Sequence, residues 1–479
     1  MRRRAIRGVA SCALGLVLLF GCALQDYAPA PIDPAASATQ IEARSPDDPA
    51  LRDYMARQGQ PPPEWPLRRW TLSDLTLAAF YFQPELSVAR AQAVVARAEV
   101  DAATQRPPFG LIPRVSHHSR VREDEPGPWS LGLALEVPIV PASRREALRE
   151  RYDALADAAA LRVGDVGWKV RSALRTSFLD VYASRARRAL LEEQARGRRE
   201  MSALLERRVG AGVESSVALT TARLRLAEVE GELQAATVAS ERSLGALAQA
   251  TGIPLARVRE LAFDFAVFEA VPPAPDSVET RRTALLNRID LRAKLLDYAA
   301  ADAAVKLEIA RQNPTVLFTP GYLWDQGDNV WTLAALVLLP SAGNRPAIQA
   351  ALARRDLAAA EVNQLQSRVM TDADAGRSRY RSASEAAARV ATALALSEER
   401  TTRARAQFDA GYIDRVELVG ARLEHLAAER NTLALRTESQ AALGALEDAL
   451  QAPLLGGPLP PLAAERASAD AAPGDFARR

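Results

Sequence analysis

The chain has 479 residues, 48% of them hydrophobic, so it is long enough to bury a large core. Its 61 Lys and Arg residues nearly balance 59 Asp and Glu residues, and the formal net charge of +2 makes nucleic acid a poor candidate partner. After the first 21 residues there is no apolar run of about 18 residues, which excludes a protein built from membrane-spanning helices.

Residues 1–21 are predicted to be a secretory signal peptide, because a basic start precedes an apolar run from Val9 to Phe20 that is too short to span a bilayer. The run ends Leu19-Phe20-Gly21-Cys22, which resembles a bacterial lipobox and implies lipidation of Cys22. The alternative is an ordinary signal peptide cleaved nearby. Ala23 rather than aspartate follows the cysteine, which by the same resemblance indicates the outer membrane. Since Cys12 lies in the signal, the mature chain has no internal disulfide.

Residues 22–70, rich in Ala, Pro and Asp, are predicted to be an extended, lipid-anchored leader. The first repeat, 71–265, begins with a helix that Pro107-Pro108 ends. A β-hairpin is predicted over 114–140, because large apolar side chains alternate with Gly132, Ala134 and Glu136 along its second strand. Long helices are predicted over 142–209, which contains no proline, and over 213–251, where apolar residues follow a heptad spacing.

The same plan then restarts. After a proline-rich linker at 266–278, the second repeat covers 279–455, with a hairpin at 315–340 and long helices at 347–410 and 412–452. Residues 456–479 are predicted to be a disordered tail. The two halves align without a gap around their helix breaks, since 411 − 212 = 199 for the glycines and 453 − 254 = 199 for the prolines. The chain therefore contains an internal duplication.

No combination of residues predicts an enzyme, a cofactor or a metal site. His117 and His118 are neighbours on a strand, so their side chains point to opposite faces and cannot chelate one ion together. A phosphate-binding glycine loop, a nucleophile elbow and a catalytic cysteine are all absent from the sequence.

Together these features resemble the TolC-type outer-membrane efflux proteins (the outer-membrane factor lipoprotein family) over roughly residues 70–455. The resemblance rests on Ala-Gly-x5-Val-x-Leu-x2-Ala-Arg-Leu at both helix breaks, on Leu-Gly-Ala-Leu at 244–247, and on a strand followed by Pro138 and then Arg144. The family often has Gly-Gly before that arginine, whereas Ala-Ser and Gly-Asn stand here. The resemblance implies a mainly α fold with a small β part, in which three protomers share one twelve-stranded outer-membrane β-barrel continued by a periplasmic α-helical barrel.

The function implied is the exit duct of a tripartite efflux system, anchored in the outer membrane by lipid and extending into the periplasm. Its implied partners are two further copies of the chain, a periplasmic adaptor protein, an inner-membrane pump and outer-membrane lipid. Two alternatives stay open: the outer-membrane channel of type I protein secretion, and a lipid-anchored periplasmic coiled-coil scaffold without a pore. The exported substrate, whether drug, metal or protein, is not specified by the sequence.

Three groups of functional residues follow. Lipid is predicted to contact the large residues of the hairpins: Trp129, Leu131, Leu133, Leu135 and Trp331. The adaptor is predicted to contact the two helix tips: Gly212, Val213, Glu214 and Ser215, and Gly411, Tyr412, Ile413 and Asp414. The resemblance places a periplasmic gate at Glu417 and at a second acidic position that is Gly420 here, whereas the first repeat has Ala218 opposite Glu417.

Overall fold

The computed structural model describes residues 27–119, 127–339 and 341–461. Residues 45–461 belong to one compact unit. Residues 27–44 belong to another, which contains a short helix, α1 (Pro34–Glu42), capped by the side chain of Asp33. The signal peptide and Cys22 lie outside the described residues, as does most of the predicted tail.

The predicted extended leader is wrong for residues 45–70. A helix, α2 (Pro49–Arg57), begins after Asp48, and its Leu51, Tyr54 and Met55 are fully buried in the core of the first repeat. The backbone N–H of Trp70 donates to Ala262 O at 2.9 Å. Proline and alanine dominate the average composition of this segment, but three apolar residues on one helical face are sufficient to dock it.

The first repeat contains a pair of shorter helices, a hairpin and a pair of long helices: α3 (Leu72–Phe82), α4 (Pro84–Thr104), β1 (Gly110–His117), β2 (Trp129–Ile139), α5 (Ala142–Gly210) and α6 (Ser216–Thr251), followed by the short α7 (Leu255–Glu260). The single helix predicted over 71–106 is divided at Gln83. Its ψ of 121° is extended because Pro84 follows it and disfavours a helical conformation there.

The second repeat has the same order: α8 (Ser277–Asn287), α9 (Ile289–Ala310), β3 (Thr315–Asp325), β4 (Asp328–Leu338), α10 (Arg345–Asp409) and α11 (Arg415–Leu450). The predicted fold class, mainly helical with two hairpins in a duplicated arrangement, is confirmed. In the described part of the chain, no helix combines the length and the apolar character needed to cross a membrane.

The long helices pack in antiparallel pairs, α5 with α6 and α10 with α11, and α11 also packs along α5. The heptad positions predicted on α6 face its neighbouring helices. Two of these residues, Ala222 and Ala236, are buried, and the other four are half-buried: Leu219, Leu226, Val229 and Leu233. The spacing of apolar residues therefore identifies the packed face of the helix.

The linker and the start of the tail are held against the helices. Tyr380 Oη donates to Pro272 O at 2.5 Å, and Arg377 Nε donates to Pro275 O at 2.7 Å. A Cβ placed on Gly167 of α5 would lie 2.7 Å from Pro460 Cβ, and Pro461 is buried. Pro460 is therefore packed on α5 and Pro461 is buried, so the prediction of disorder is wrong for these two residues.

Candidate functional site

The two hairpins combine into one antiparallel sheet in the order β1-β2-β3-β4. They meet through β2 and β3, where Leu131 lies opposite Trp324 and Leu133 lies opposite Tyr322. Among the described residues, β1 and β4 have no partner on their outer edges. Each edge therefore presents backbone N–H and C=O groups that are free to pair with another strand.

One face of the sheet is apolar and exposed. Residues that lie opposite each other in paired strands share a face, so the strand register joins large side chains from all four strands: Leu111, Val115, Trp129, Leu131, Leu133, Leu135, Phe318, Tyr322, Trp331 and Leu333. The structure therefore brings together, on this one face, all five residues predicted to contact lipid.

The opposite face, called the polar face below, carries polar and small side chains together with some aliphatic ones such as Leu323 and Leu336. The charged side chains of the four strands all lie on it: Arg114, Glu136, Asp325 and Asp328. A Cβ on Gly132 would lie 2.8 Å from Leu323 Cδ1, and one on Gly321 would lie 2.7 Å from Thr332 Oγ1, so there is little space beside these two glycines. Near the outer end of the hairpins, His118 Nε2 lies 2.8 Å from Ser130 Oγ, which in turn donates to Asp325. Because it carries the charged groups of the sheet, this face is better suited to water than the apolar face is.

His117 and His118 do face opposite sides, because the His117 ring stacks edge-on against Trp129 with a centroid distance of 4.7 Å. Within residues 27–119, 127–339 and 341–461, no group of three or more His, Cys, Asp or Glu side chains is arranged to hold a metal ion.

The two helix breaks have the same backbone geometry. Gly212 and Gly411 adopt φ values of +74° and +78°, a conformation that side-chain-bearing residues rarely adopt. The N–H groups of each glycine and of the residue after it donate to carbonyls of the preceding helix, at 2.9 to 3.0 Å. The following helices are capped by Ser215 and Asp414, whose side chains accept hydrogen bonds from the first free N–H groups.

The predicted tip residues lie beside these reversals and form two exposed projections. Val213 is 73% exposed and Tyr412 is 84% exposed, and nothing lies within 4 Å of a Cβ placed on either tip glycine. Ile413, by contrast, packs toward the interior of its own hairpin with Phe408 and Leu418. Both side chains are accessible at the ends of their helical pairs, and their contact with an adaptor stays a prediction.

Ion pairs join the second tip to the first repeat. Arg208 donates to Asp414, and Arg415 lies 2.5 Å from Glu200. The Arg208 guanidinium, helped by the N–H groups of Glu417 and Val416, lowers the pKa of Asp414 below its usual value. The Asp414 carboxylate therefore stays ionised at neutral pH and keeps its pairing with Arg208.

Glu417 is exposed in the first turn of α11, and its backbone N–H donates to Asp414 Oδ1 at 3.1 Å. No atom lies within 4 Å of a Cβ placed on Gly420, one turn further along the same helix. A gate made of several Glu417 side chains requires more than one chain, so this role stays a prediction.

A buried charged cluster was missed by reasoning from the sequence. Glu447 Oε2 lies 3.3 Å from Arg171 Nη1 and 3.2 Å from Arg175 Nε, and all three residues are nearly inaccessible to solvent. Burial lowers the pKa of Arg175 below its usual value. One sequence pattern could have indicated this cluster: two arginines, four residues apart, interrupt the otherwise apolar stripe of α5.

A duplicated unit of hairpin and long helices, with an exposed apolar sheet and glycine-centred tips, defines a channel protomer of the outer membrane that extends into the periplasm. Residues 81–253 match the family described as outer membrane efflux protein. The match lies within the first repeat, where the chain is similar to this family of outer-membrane efflux channels, and both repeats have a TolC-like fold.

Solved structures share the fold over most of the chain. The outer-membrane channel OprN is 20% identical with a TM-score of 0.64, and the match covers 90% of this chain and 98% of OprN. The CmeC channel of Campylobacter jejuni is 14% identical with a TM-score of 0.65, covering 93% and 96%. The open state of the MtrE channel of Neisseria gonorrhoeae is 16% identical with a TM-score of 0.64, covering 80% and 89%. No curated protein sequence matches the chain significantly.

The two faces of the sheet predict opposite responses to a charge. Leu133→Arg on the apolar face should destabilise insertion by about 2–4 kcal/mol per protomer, whereas Ser116→Arg on the polar face should cost about 1 kcal/mol or less. Ser116 is exposed and lies opposite Ser130, away from the crowded positions beside Gly132 and Gly321. The measurement is the amount of heat-resistant oligomer in outer-membrane fractions. Loss of the oligomer in Ser116→Arg but not in Leu133→Arg would mean that the faces are reversed.

Proposed function

We propose that three copies of this efflux channel form one duct that passes small molecules from an inner-membrane pump, through a periplasmic adaptor, to the outside. The observation that carries this proposal is a four-stranded sheet with one apolar, exposed face and two unpaired edges. Such a face favours lipid, and lipid cannot hydrate the unpaired edges, so both edges need partner strands.

Closure of the sheet by strands from other copies leaves the apolar face in contact with lipid and gives both edges a partner strand. If β4 of one copy pairs with β1 of the next, three copies give a twelve-stranded barrel without edges. The polar face, with Arg114, Ser130 and Asp325, then lines a lumen, and the apolar face contacts lipid. Eight strands from two copies would leave an interior that side chains fill, which does not suit an export duct.

The apolar face of the sheet favours a membrane channel over the alternative function, a coiled-coil scaffold without a pore. A periplasmic scaffold would expose Trp331, 80% accessible in the single chain, and Leu333 beside it to water. Type I protein secretion remains the second candidate, because it uses a duct of the same kind and the described residues do not specify the cargo. Three roles complete the proposal: lipid attachment at Cys22, adaptor contact at the tips and a gate at Glu417.

Adaptor contact tests the function directly. Cysteine introduced at Val213 or Tyr412 should crosslink to the adaptor in cells treated with a short bifunctional thiol–amine reagent, because both side chains project from the tips. Asp328→Cys, exposed at the β3–β4 turn, is the matched control and should give no such product. Adaptor captured from position 328 but not from 213 or 412 would contradict the assignment of the tips.

Lipid attachment at Cys22 predicts that labelling with radioactive palmitate is lost in Cys22→Ser. The barrel has its own affinity for the membrane, so the variant should still reach the outer membrane in part. Label that persists in the variant would exclude Cys22 as the attachment site.

The gate predicts a change in ion selectivity. Threefold symmetry would place three Glu417 carboxylates around one axis, a ring that attracts cations. In single-channel recordings, Glu417→Gln should therefore lower the preference for cations and weaken block by divalent ions. If both properties are unchanged in Glu417→Gln but altered in Ala218→Glu, the constriction lies at the first-repeat tip.

A further inference from the structure

Within one chain, α11 packs on α5 through a close contact between a leucine and a glycine. A Cβ placed on Gly197 of α5 would lie 2.9 Å from Leu423 Cδ2, and Leu423 is only 5% exposed. About two turns from Leu423, Arg415 pairs with Glu200. This surface, the α5–α11 contact, joins the two repeats of the chain.

The duplication relates each helix of this contact to a helix on the outside of the protomer. Adding 199 to the residue numbers of α5 gives those of α10, and subtracting 199 from those of α11 gives those of α6. Equivalent positions also have the same backbone hydrogen bonds in the structure. Gly212 N donates to Val209 O and Gly411 N donates to Phe408 O, both at 3.0 Å. The correspondence also holds along the helices, because the same positions are buried in both repeats: Ser202 and Thr401 are buried or half-buried, as are Leu205 and Ala404, and Ala222 and Ala421.

The counterparts of the contacting residues have no cover in the single chain. Leu423 corresponds to Leu224 on α6, which is 62% exposed, and Gly197 corresponds to Leu396 on α10, which is 63% exposed. The ion pair has no equivalent, because Arg415 corresponds to the uncharged Ser216, although Glu200 corresponds to Glu399. The contact within the chain is thus made by a leucine on a glycine, whereas the equivalent positions on the outer helices are two exposed leucines.

We infer that α10 of one subunit packs against α6 of the next in the register of the α5–α11 contact, with Leu396 against the partner subunit's Leu224. This inference rests on the trimer proposed above and adds the residues that join its subunits. The contact is heterologous and closes into a ring when repeated by threefold rotation. It buries two leucine side chains that are otherwise in water.

The two kinds of contact differ in spacing and in chemistry. The distance between packed helices depends on the side chains between them, so a leucine–leucine pair holds α10 and α6 further apart than a glycine–leucine pair holds α5 and α11. The helical ring therefore alternates between closer contacts within a chain and wider contacts between chains. Because Ser216 stands in the place of Arg415, the Arg415–Glu200 ion pair is not repeated in the contact between chains.

Disulfide crosslinking tests the inferred pair. The double variant Leu224→Cys/Leu396→Cys, purified as the full-length protein in detergent and oxidised, should shift on denaturing non-reducing gels from the mass of one chain to those of two and three chains. Gly197→Cys/Leu423→Cys is the matched control, since the same oxidation should join its thiols within one chain and leave the mass unchanged. Leu224→Cys/Glu398→Cys, with Glu398 turned to another side of α10, should give no ladder.

Failure of the inference is distinguishable from failure of the trimer. If the control disulfide forms but Leu224→Cys/Leu396→Cys gives no ladder either on oxidation or with a short bifunctional maleimide that spans the wider contact, the inferred contact is overturned, and a native gel that still shows three chains leaves the trimer standing. A photoreactive amino acid at Leu396 provides a second route that does not depend on two cysteines. Its crosslinked peptide should come from residues 216–251 of another chain, and a peptide from any other segment overturns the inference.

Discussion

Unpaired backbone at the edges of the sheet is the constraint on which the remaining architecture depends. The outer N–H and C=O groups of β1 and β4 have no partner among the described strands, and the adjacent face is too apolar to remain in water. In a bilayer each unsatisfied group costs several kcal/mol, so the sheet is stable there only when other strands pair with both of its edges. Assembly is therefore a condition of membrane insertion and not a later refinement of a finished protomer.

Assembly at the sheet also determines which helices become neighbours. Each hairpin continues directly into a long helix, since β2 ends at Ile139 and α5 begins at Ala142. In the proposed trimer, a closed ring of strands brings the long helices of three chains side by side. The duplication supplies similar surfaces for contacts within and between chains, and its divergence at positions such as Arg415 and Ser216 makes the two contacts chemically different.

Local sequence patterns predicted those parts of the fold that local interactions determine. Alternation along Trp129–Ile139, heptad spacing on α6 and the paired Gly212 and Gly411 each reflect a periodicity or a backbone conformation that few alternatives satisfy. The docking of 45–57, the packing of Pro460 and Pro461, and the Arg171–Arg175–Glu447 cluster were missed. All three depend on surfaces distant in sequence, and composition averaged over a segment conceals the few residues that make such contacts.

The buried cluster explains how one chain keeps its two repeats in register before any partner is present. Glu447 on α11 lies between Arg171 and Arg175 on α5, where a shift of either helix would leave a buried charge without its partner. Separating such a pair costs about 3–5 kcal/mol, although the pair itself adds little net stability. The counterpart positions are Met370, Asp374 and Ala248, which cannot form the same cluster between chains. Buried charge thus selects the pairing within the chain and leaves the apolar helix faces for its neighbours.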